Sequence, residues 1–358
     1  QGRLRASAYT EFLRSRGLLE THWQWLWELV RARTTGVSFA PSILGEDEQI
    51  DGWVMERGRD YINAHADDDQ PWFTWIGPEG PHDPFDPPGA WAEMYDPADV
   101  DLPLRQLSED PMARRRAEQD GAEDADDAVM HQMRALYYGN ISFIDHKLGL
   151  IVADLKARGI YDNTWVVFGS DHGEMLGDFH CTAKQLFHRQ SVDVPLIIKP
   201  PARYADAPRG TISDALVELI DLTATFTDIA GGDLPGARGR SLLPMLTGAQ
   251  STENHRDVTR SQVGANHMVR TADRKLIYRT TDPCHLDDGH ELLSYYDLRA
   301  DPGELHNLLD ERQSEAEAFF AEHEPVFFEA TADHLPPQWD DQYPFKGWGR
   351  NPLLEALE

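Results

Sequence analysis

An α/β fold, with a layered sheet core and a smaller C-terminal α+β subdomain built on an antiparallel sheet, is what the sequence predicts. Three observations carry it. Residues 164–168 are almost continuously apolar, as expected for a strand covered on both faces. The stretch before them, 128–158, repeats apolar positions every three or four residues, the mark of a long amphipathic helix. After residue 246 the pattern changes to short β-rich segments separated by turn residues. The predicted division is therefore 1–246 for the core and 247–358 for the subdomain, in keeping with 358 residues at about 150 per domain.

Taken in order, residues 1–35 read as an Arg-rich helix with Trp23, Leu26, Trp27 and Val30 on one stripe, the spacing of a helix packed on a core. Residues 48–65 are again helical and stop at Asp67-Asp68-Asp69. Trp72-Phe73-Thr74-Trp75-Ile76 follows as a strand, cut by the Gly77-Pro78 breaker. The Pro-rich loop from Gly80 runs irregularly to Pro103. Residues 105–127, with Arg114-Arg115-Arg116 beside an acidic block, read as an exposed excursion. The long helix then runs to Gly159, which stops it. Strands are expected at 164–168 and 194–198, and a helix at 212–230. Segments 258–263, 267–270, 275–279 and 292–297 make the antiparallel sheet. A helix over 310–324, with Phe319 and Phe320 inward, leads to a tail bearing Trp339, Tyr343, Phe345 and Trp348, which packs on the body or makes a homo-oligomer with a second subunit.

Lys and Arg total 33 against 62 Asp and Glu, a net charge of −29. Nucleic acid is thereby excluded as the main ligand, since its phosphates meet a field of their own sign. Only six of the cations are Lys. An anionic substrate must be held by a few local positive groups. No apolar run reaches the roughly 18 residues of a membrane span. Cys181 and Cys284 lie in no Cys-x-x-Cys or zinc spacing. No export signal is visible, and a cytoplasmic setting is slightly favoured in a compartment otherwise unassigned.

In layered α/β folds, ligands bind beyond the carboxyl ends of strands. One such end here reads Gly169-Ser170-Asp171-His172-Gly173-Glu174-Met175-Leu176-Gly177-Asp178. Asp171 and His172 offer a carboxylate and an imidazole from adjacent positions between two glycines, donors suited to a divalent cation. On these residues alone, a helix cap and a satisfied polar His are the favoured account. Lys184 follows thirteen residues after Asp171, and Val194-Pro195-Leu196 begins ten after Lys184.

This stretch resembles the type I sulfatases of the alkaline phosphatase superfamily. The resemblance extends to Pro81-His82-Asp83-Pro84-Phe85, to Tyr137-Tyr138-Gly139-Asn140-Ile141 and its continuation to Asp145, and to the segment Tyr296-Asp297-Leu298 through Leu308. It implies an alkaline-phosphatase/sulfatase-like sheet core and a sulfuric ester hydrolase. It also implies metal ligation by Asp171 and His172, sulfate contact by Lys184, and a place by the scissile oxygen for His82. The implied cation is Ca2+, with Mg2+ or Mn2+ as alternatives, and the implied substrate is a small-molecule or saccharide sulfate ester. His180 and His188, near Lys184, are further candidates for substrate binding.

The departures are as informative. The family's nucleophile is a formylglycine made from the first residue of Cys-x-Pro-Ser-Arg or Ser-x-Pro-Ser-Arg, and neither motif is present. In Phe39-Ala40-Pro41-Ser42-Ile43 the nucleophile and arginine places hold Phe39 and Ile43. The paired Asp residues of the family's first strand are missing too. The expectation is a chain that starts inside a longer product, with the formylglycine outside it. Phosphonate monoester or phosphodiester hydrolysis on the same scaffold, and a non-catalytic sulfatase-like fragment, are the alternatives.

Overall fold

The computed structural model describes residues 7–282 and 285–332; Cys284 and the aromatic tail with Trp339, Tyr343, Phe345 and Trp348 lie outside the described residues. Two helices, α1 (Ala8–Ser15) and α2 (Leu19–Ala32), stand where one was expected. Gly17 divides them at φ 69°, a conformation open to glycine and costly for most residues. Ser7 starts α1, its Oγ accepting the Thr10 amide at 3.1 Å.

Helix α3 (Ile50–His65) packs through Met55 and Ile62 on Ile151 and Leu155 of the long helix α5 (Asp127–Ala157). Trp72 and Ile76 join that cluster, while Phe73 and Trp75 are 63% and 74% exposed. The apolar alternation expected of a strand is therefore present, but residues 71–78 have no backbone hydrogen bonds among the described residues, so no ladder forms. The sequence signal reports side-chain packing, and the ladder needs a neighbour.

Residues 105–127 correct the expectation of an exposed excursion. They contain α4 (Pro111–Asp120), capped by Asp110 through the Met112 amide at 2.7 Å and ended by Gly121 at φ 65°. Ala113 and Ala117 are buried against Met175, Phe179, Cys181 and Leu186. Short side chains every fourth residue let this charged helix lie close to the loop that carries Lys184, and charge counting does not register that.

The core sheet, among the described residues, is an antiparallel pair: β1 (Val166–Gly169) and β2 (Leu196–Lys199), with Val167 opposite Ile198. Ile197 is 64% exposed, so this pair is not covered on both faces as a buried strand would be. Between them lies the short α6 (Arg189–Val192). Helix α7 (Ile220–Ile229) starts later than expected, because Leu216 bridges Arg256 and Ser213 donates to the Thr252 carbonyl. Tertiary pairing there outweighs helical periodicity. The one-turn α8 (Leu243–Leu246) follows.

The C-terminal sheet has the predicted antiparallel character. Its strands β3 (Thr259–Val263), β4 (Asn266–Arg270), β5 (Arg274–Asp282) and β6 (His285–Asp297) lie in sequence order. One face, with Val269, Leu276, Tyr278 and Tyr295, packs on Ala316, Phe319 and Phe320 of α9 (Gln313–Ala332). The alternate residues Met268, Ile277 and Tyr296 pack on Phe187 and Val192. The sheet thus buttresses the segment just after Lys184. No helix among the described residues is long and apolar enough to cross a membrane.

Candidate active site

Four of the predicted residues meet. The Lys184 Nζ is in hydrogen-bonding contact with His82 Nε2 across 102 residues of sequence. The His82 Nδ1–H donates to the Asp83 carbonyl at 2.9 Å, which leaves Nε2 as the acceptor for the lysine. The His82 and His172 rings meet edge to face with centroids 5.9 Å apart. His172 likewise donates its Nδ1–H to the Gly173 carbonyl at 2.9 Å, so its Nε2 carries a lone pair, 3.6 Å from Asp171 Oδ2. His82 lies between cis peptide bonds at Gly80-Pro81 and Asp83-Pro84.

The backbone after β1 explains how Lys184 reaches His82. Gly173 is pressed so closely on the 190–191 segment that a Cβ there would stand 2.0 Å from the Gln190 carbonyl oxygen. Leu176, Phe179, His180, Ala183 and Gln185 all have φ between 48° and 76°, a left-handed region that costs non-glycine residues energy and persists where surroundings impose it. Those surroundings are specific. Glu174 accepts the Leu176 amide at 3.2 Å and the Ala183 amide. Asp120 of α4 accepts both the Thr182 amide at 2.8 Å and its hydroxyl at 3.0 Å. Arg134 of α5 pairs with Asp178 at 2.5 Å. Burial pushes the Glu174 carboxyl up to about 7, against the lowering effect of its two amide donors.

A second anchor lies behind the lysine. Lys275 Nζ donates to the Phe187 carbonyl at 2.8 Å and pairs with Glu304, whose other oxygen accepts the Arg189 amide at 3.1 Å. Burial pushes Glu304 up, but the His188 hydrogen bond and the Lys275 charge outweigh it and hold the carboxyl at about 2.

This anchor corrects two expectations. His188 is fully buried between Ser108 Oγ at 3.0 Å and Glu304 at 3.2 Å, and it stacks on Phe179. His180 is also buried, its Nε2–H donating to the Arg105 carbonyl at 2.6 Å. Neither imidazole reaches the surface where a substrate could touch it. Their proximity to Lys184 in sequence suggested a rim, but the left-handed backbone at His180 and the extended backbone at His188 leave both side chains buried. Conversely Glu174, Asp120 and Glu304 went unassigned in the sequence. Glu174 lay inside the recognised motif and could have been singled out; the other two act over 62 and 115 residues, and no local signal marks them.

Asp171 and His172 fit two positions on a hard divalent cation. The carboxylate is exposed, the imidazole lone pair is oriented by its backbone partner, and 3.6 Å suits two ligands that each stand about 2.3–2.6 Å from one ion. No group of three or more such ligands occurs among the described residues, so a cation at these two would need further ligands to complete its shell.

The sulfatase family model matches residues 9–232, and the model for the C-terminal part of N-sulphoglucosamine sulphohydrolase matches residues 177–321. The chain belongs to the sulfatase family. It is 30% identical over 302 residues to the multifunctional alkaline phosphatase superfamily protein of Trinickia caryophylli, covering 76% of this chain and 58% of that protein. To the arylsulfatase of Clostridium perfringens it is 29% identical over 273 residues, 73% of this chain and 54% of the relative. The chain thus spans little more than half the length of these curated relatives. The phosphonate monoester hydrolase of Agrobacterium radiobacter has the same fold, with a TM-score of 0.73 at 24% identity over 91% of this sulfatase-family chain and 69% of the hydrolase. Membership of the family carries with it a divalent metal.

Proposed function

We propose that this chain carries the oxyanion-binding and part of the metal-binding machinery of a sulfuric ester hydrolase. The observation that carries the reading is the Lys184–His82 contact beside His172: an ammonium donating to the open nitrogen of an imidazole whose ring meets a second imidazole. In a protein of net charge −29, such a pair is a local positive site of the kind a tetrahedral oxyanion needs. On ester binding, Lys184 shifts its hydrogen bonds to the sulfate oxygens. His82 Nε2, freed of the lysine, would take up a proton from solvent and pass it to the departing alkoxide or phenoxide oxygen. The cation held by Asp171 and His172 is read as Ca2+, with Mg2+ or Mn2+ as alternatives, and would withdraw charge from the sulfate. A formylglycine, which would attack sulfur, has no motif in these residues and on this reading comes from polypeptide outside them.

Hydrolysis of p-nitrophenyl sulfate, measured beside phenyl phosphonate esters with Ca2+ or Mn2+ present, tests the reading. A preference for the sulfate ester, with kcat/KM lowered by about 10²–10³ in Lys184→Ala, is the expected result. A preference for the phosphonate moves the reaction to phosphorus. Absence of either activity in the longest natural form of the protein favours a non-catalytic role.

A further inference from the structure

His82 has a second neighbourhood. Together with Tyr9 of α1, His22 and Trp23 of α2, and the carboxylates Asp51, Glu79 and Asp86, it lines a cavity of about 200 Å3. The size suits a small organic group, and the shared His82 puts this cavity next to the oxyanion pair.

The chemistry of its wall is unusual. Asp51 and Asp86 are only 1% and 8% exposed, and no Lys or Arg among the described residues is ion-paired with them or with Glu79 at the rim. Their hydrogen bonds come from neutral donors: the Gly80 amide at 2.7 Å to Asp51, and Gln49 Nε2 to Asp51 at 3.2 Å and Asp86 at 3.3 Å. Burial, then the neighbouring Asp51, push Asp86 up to about 7, so the pair repels. His22 adds no compensating charge, since burial lowers its pKa, and its Nδ1 is sealed from solvent without a hydrogen-bond partner. The remaining wall is aromatic and aliphatic. Trp23 is 40% exposed, with Leu13, Leu19 and Leu26 beside it. A hard metal ion takes six or more oxygens and has little use for such a wall. An alkylammonium group is satisfied by both halves, with its charge toward the carboxylates and its methyl or methylene groups on the indole and phenol faces.

We propose that the cavity lined by Trp23, Tyr9, Asp51 and Asp86 receives the organic portion of the ester and selects substrates whose leaving group bears an ammonium. The proposal rests on the reading of His82 and Lys184 as the oxyanion site.

The test is a pair of titrations on the full chain, followed by tryptophan fluorescence and calorimetry. Choline is compared with 3,3-dimethylbutan-1-ol, which has its shape without its charge. Saturable binding of choline, at least about tenfold tighter than the neutral alcohol, is expected (about 1.4 kcal/mol). Trp23→Leu should weaken choline binding, and Glu79→Gln, at an exposed position that leaves folding intact, should weaken it about threefold. Asp51→Asn with Asp86→Asn should erase the preference. Equal binding of the two alcohols, absence of binding, or stoichiometric displacement of choline by Ca2+ overturns the proposal. Orthovanadate titrated separately distinguishes the two levels. Lys184-dependent vanadate binding without choline binding sinks the ammonium cavity and leaves the hydrolase reading intact. Choline binding without vanadate binding sinks the hydrolase reading and keeps the cavity as a cation site.

Discussion

Asp86 is where the electrostatics of the site can be read by a stability measurement. Its carboxyl titrates near 7 in the folded chain and near 3.8 when unfolded. The folded state therefore holds the proton more tightly, and stability is lost as pH rises from about 3.8 to about 7, then levels off. At about 1.4 kcal/mol per pH unit the full effect is roughly 4 kcal/mol, shared with the coupled Asp51. Asp86→Asn should therefore match the wild type near pH 4 and melt at a higher temperature at pH 8; an equal difference at both pH values contradicts the assignment. At this scale the sequence was informative where chemistry is concentrated in a short motif. Asp171, His172, Lys184 and His82, singled out by their motifs, are side chains that the fold brings together. His180 and His188 were misjudged because distance along the chain does not determine which way the backbone aims a side chain.

Loop and strand elements around Lys184 carry the next two predictions. Gly173 has no space for a methyl group, and the obstructing atom is a backbone carbonyl, which cannot swing aside as a side chain can. Gly173→Ala should cost about 1–3 kcal/mol by denaturant titration and should weaken anion binding together with stability. A neutral result removes the close approach from the account. Glu304→Gln should be more severe, since it leaves the Lys275 ammonium buried without its counter-charge, at about 3–5 kcal/mol. Because Glu304 is held at about 2, its contribution is complete above about 4.5 and is lost as pH falls through 2. The gap between variant and wild type should close in acid and persist at pH 7; a gap that widens in acid would mean another group is responsible. Helix α5 and the C-terminal sheet were readable from periodicity and turn residues. The 72–76 segment was read as a strand on correct side-chain evidence, yet a ladder depends on a neighbour that alternation does not encode. In α4, two buried alanines mattered more than five charged residues.

For the whole molecule, the organising relation is that a C-terminal sheet stabilises an N-terminal site. One sheet face is filled by α9, and the other presses on Phe187 and Val192, so that Lys275, Glu304 and His188 secure the segment behind Lys184. The family could be read from motifs spread over the chain, whereas this buttress could not, because it links residues about 90 to 115 apart. The acidic surface adds that positive charge must be placed locally, and Lys184 with His82 is where it is placed beside the Asp171–His172 edge. The most direct test is a crystal of the chain soaked with tungstate and Ca2+, with anomalous scattering used to locate both. The account predicts tungstate within hydrogen-bonding distance of Lys184 Nζ and His82 Nε2, and Ca2+ ligated by Asp171 and His172. Tungstate bound elsewhere, or a cation far from that strand end, would contradict it.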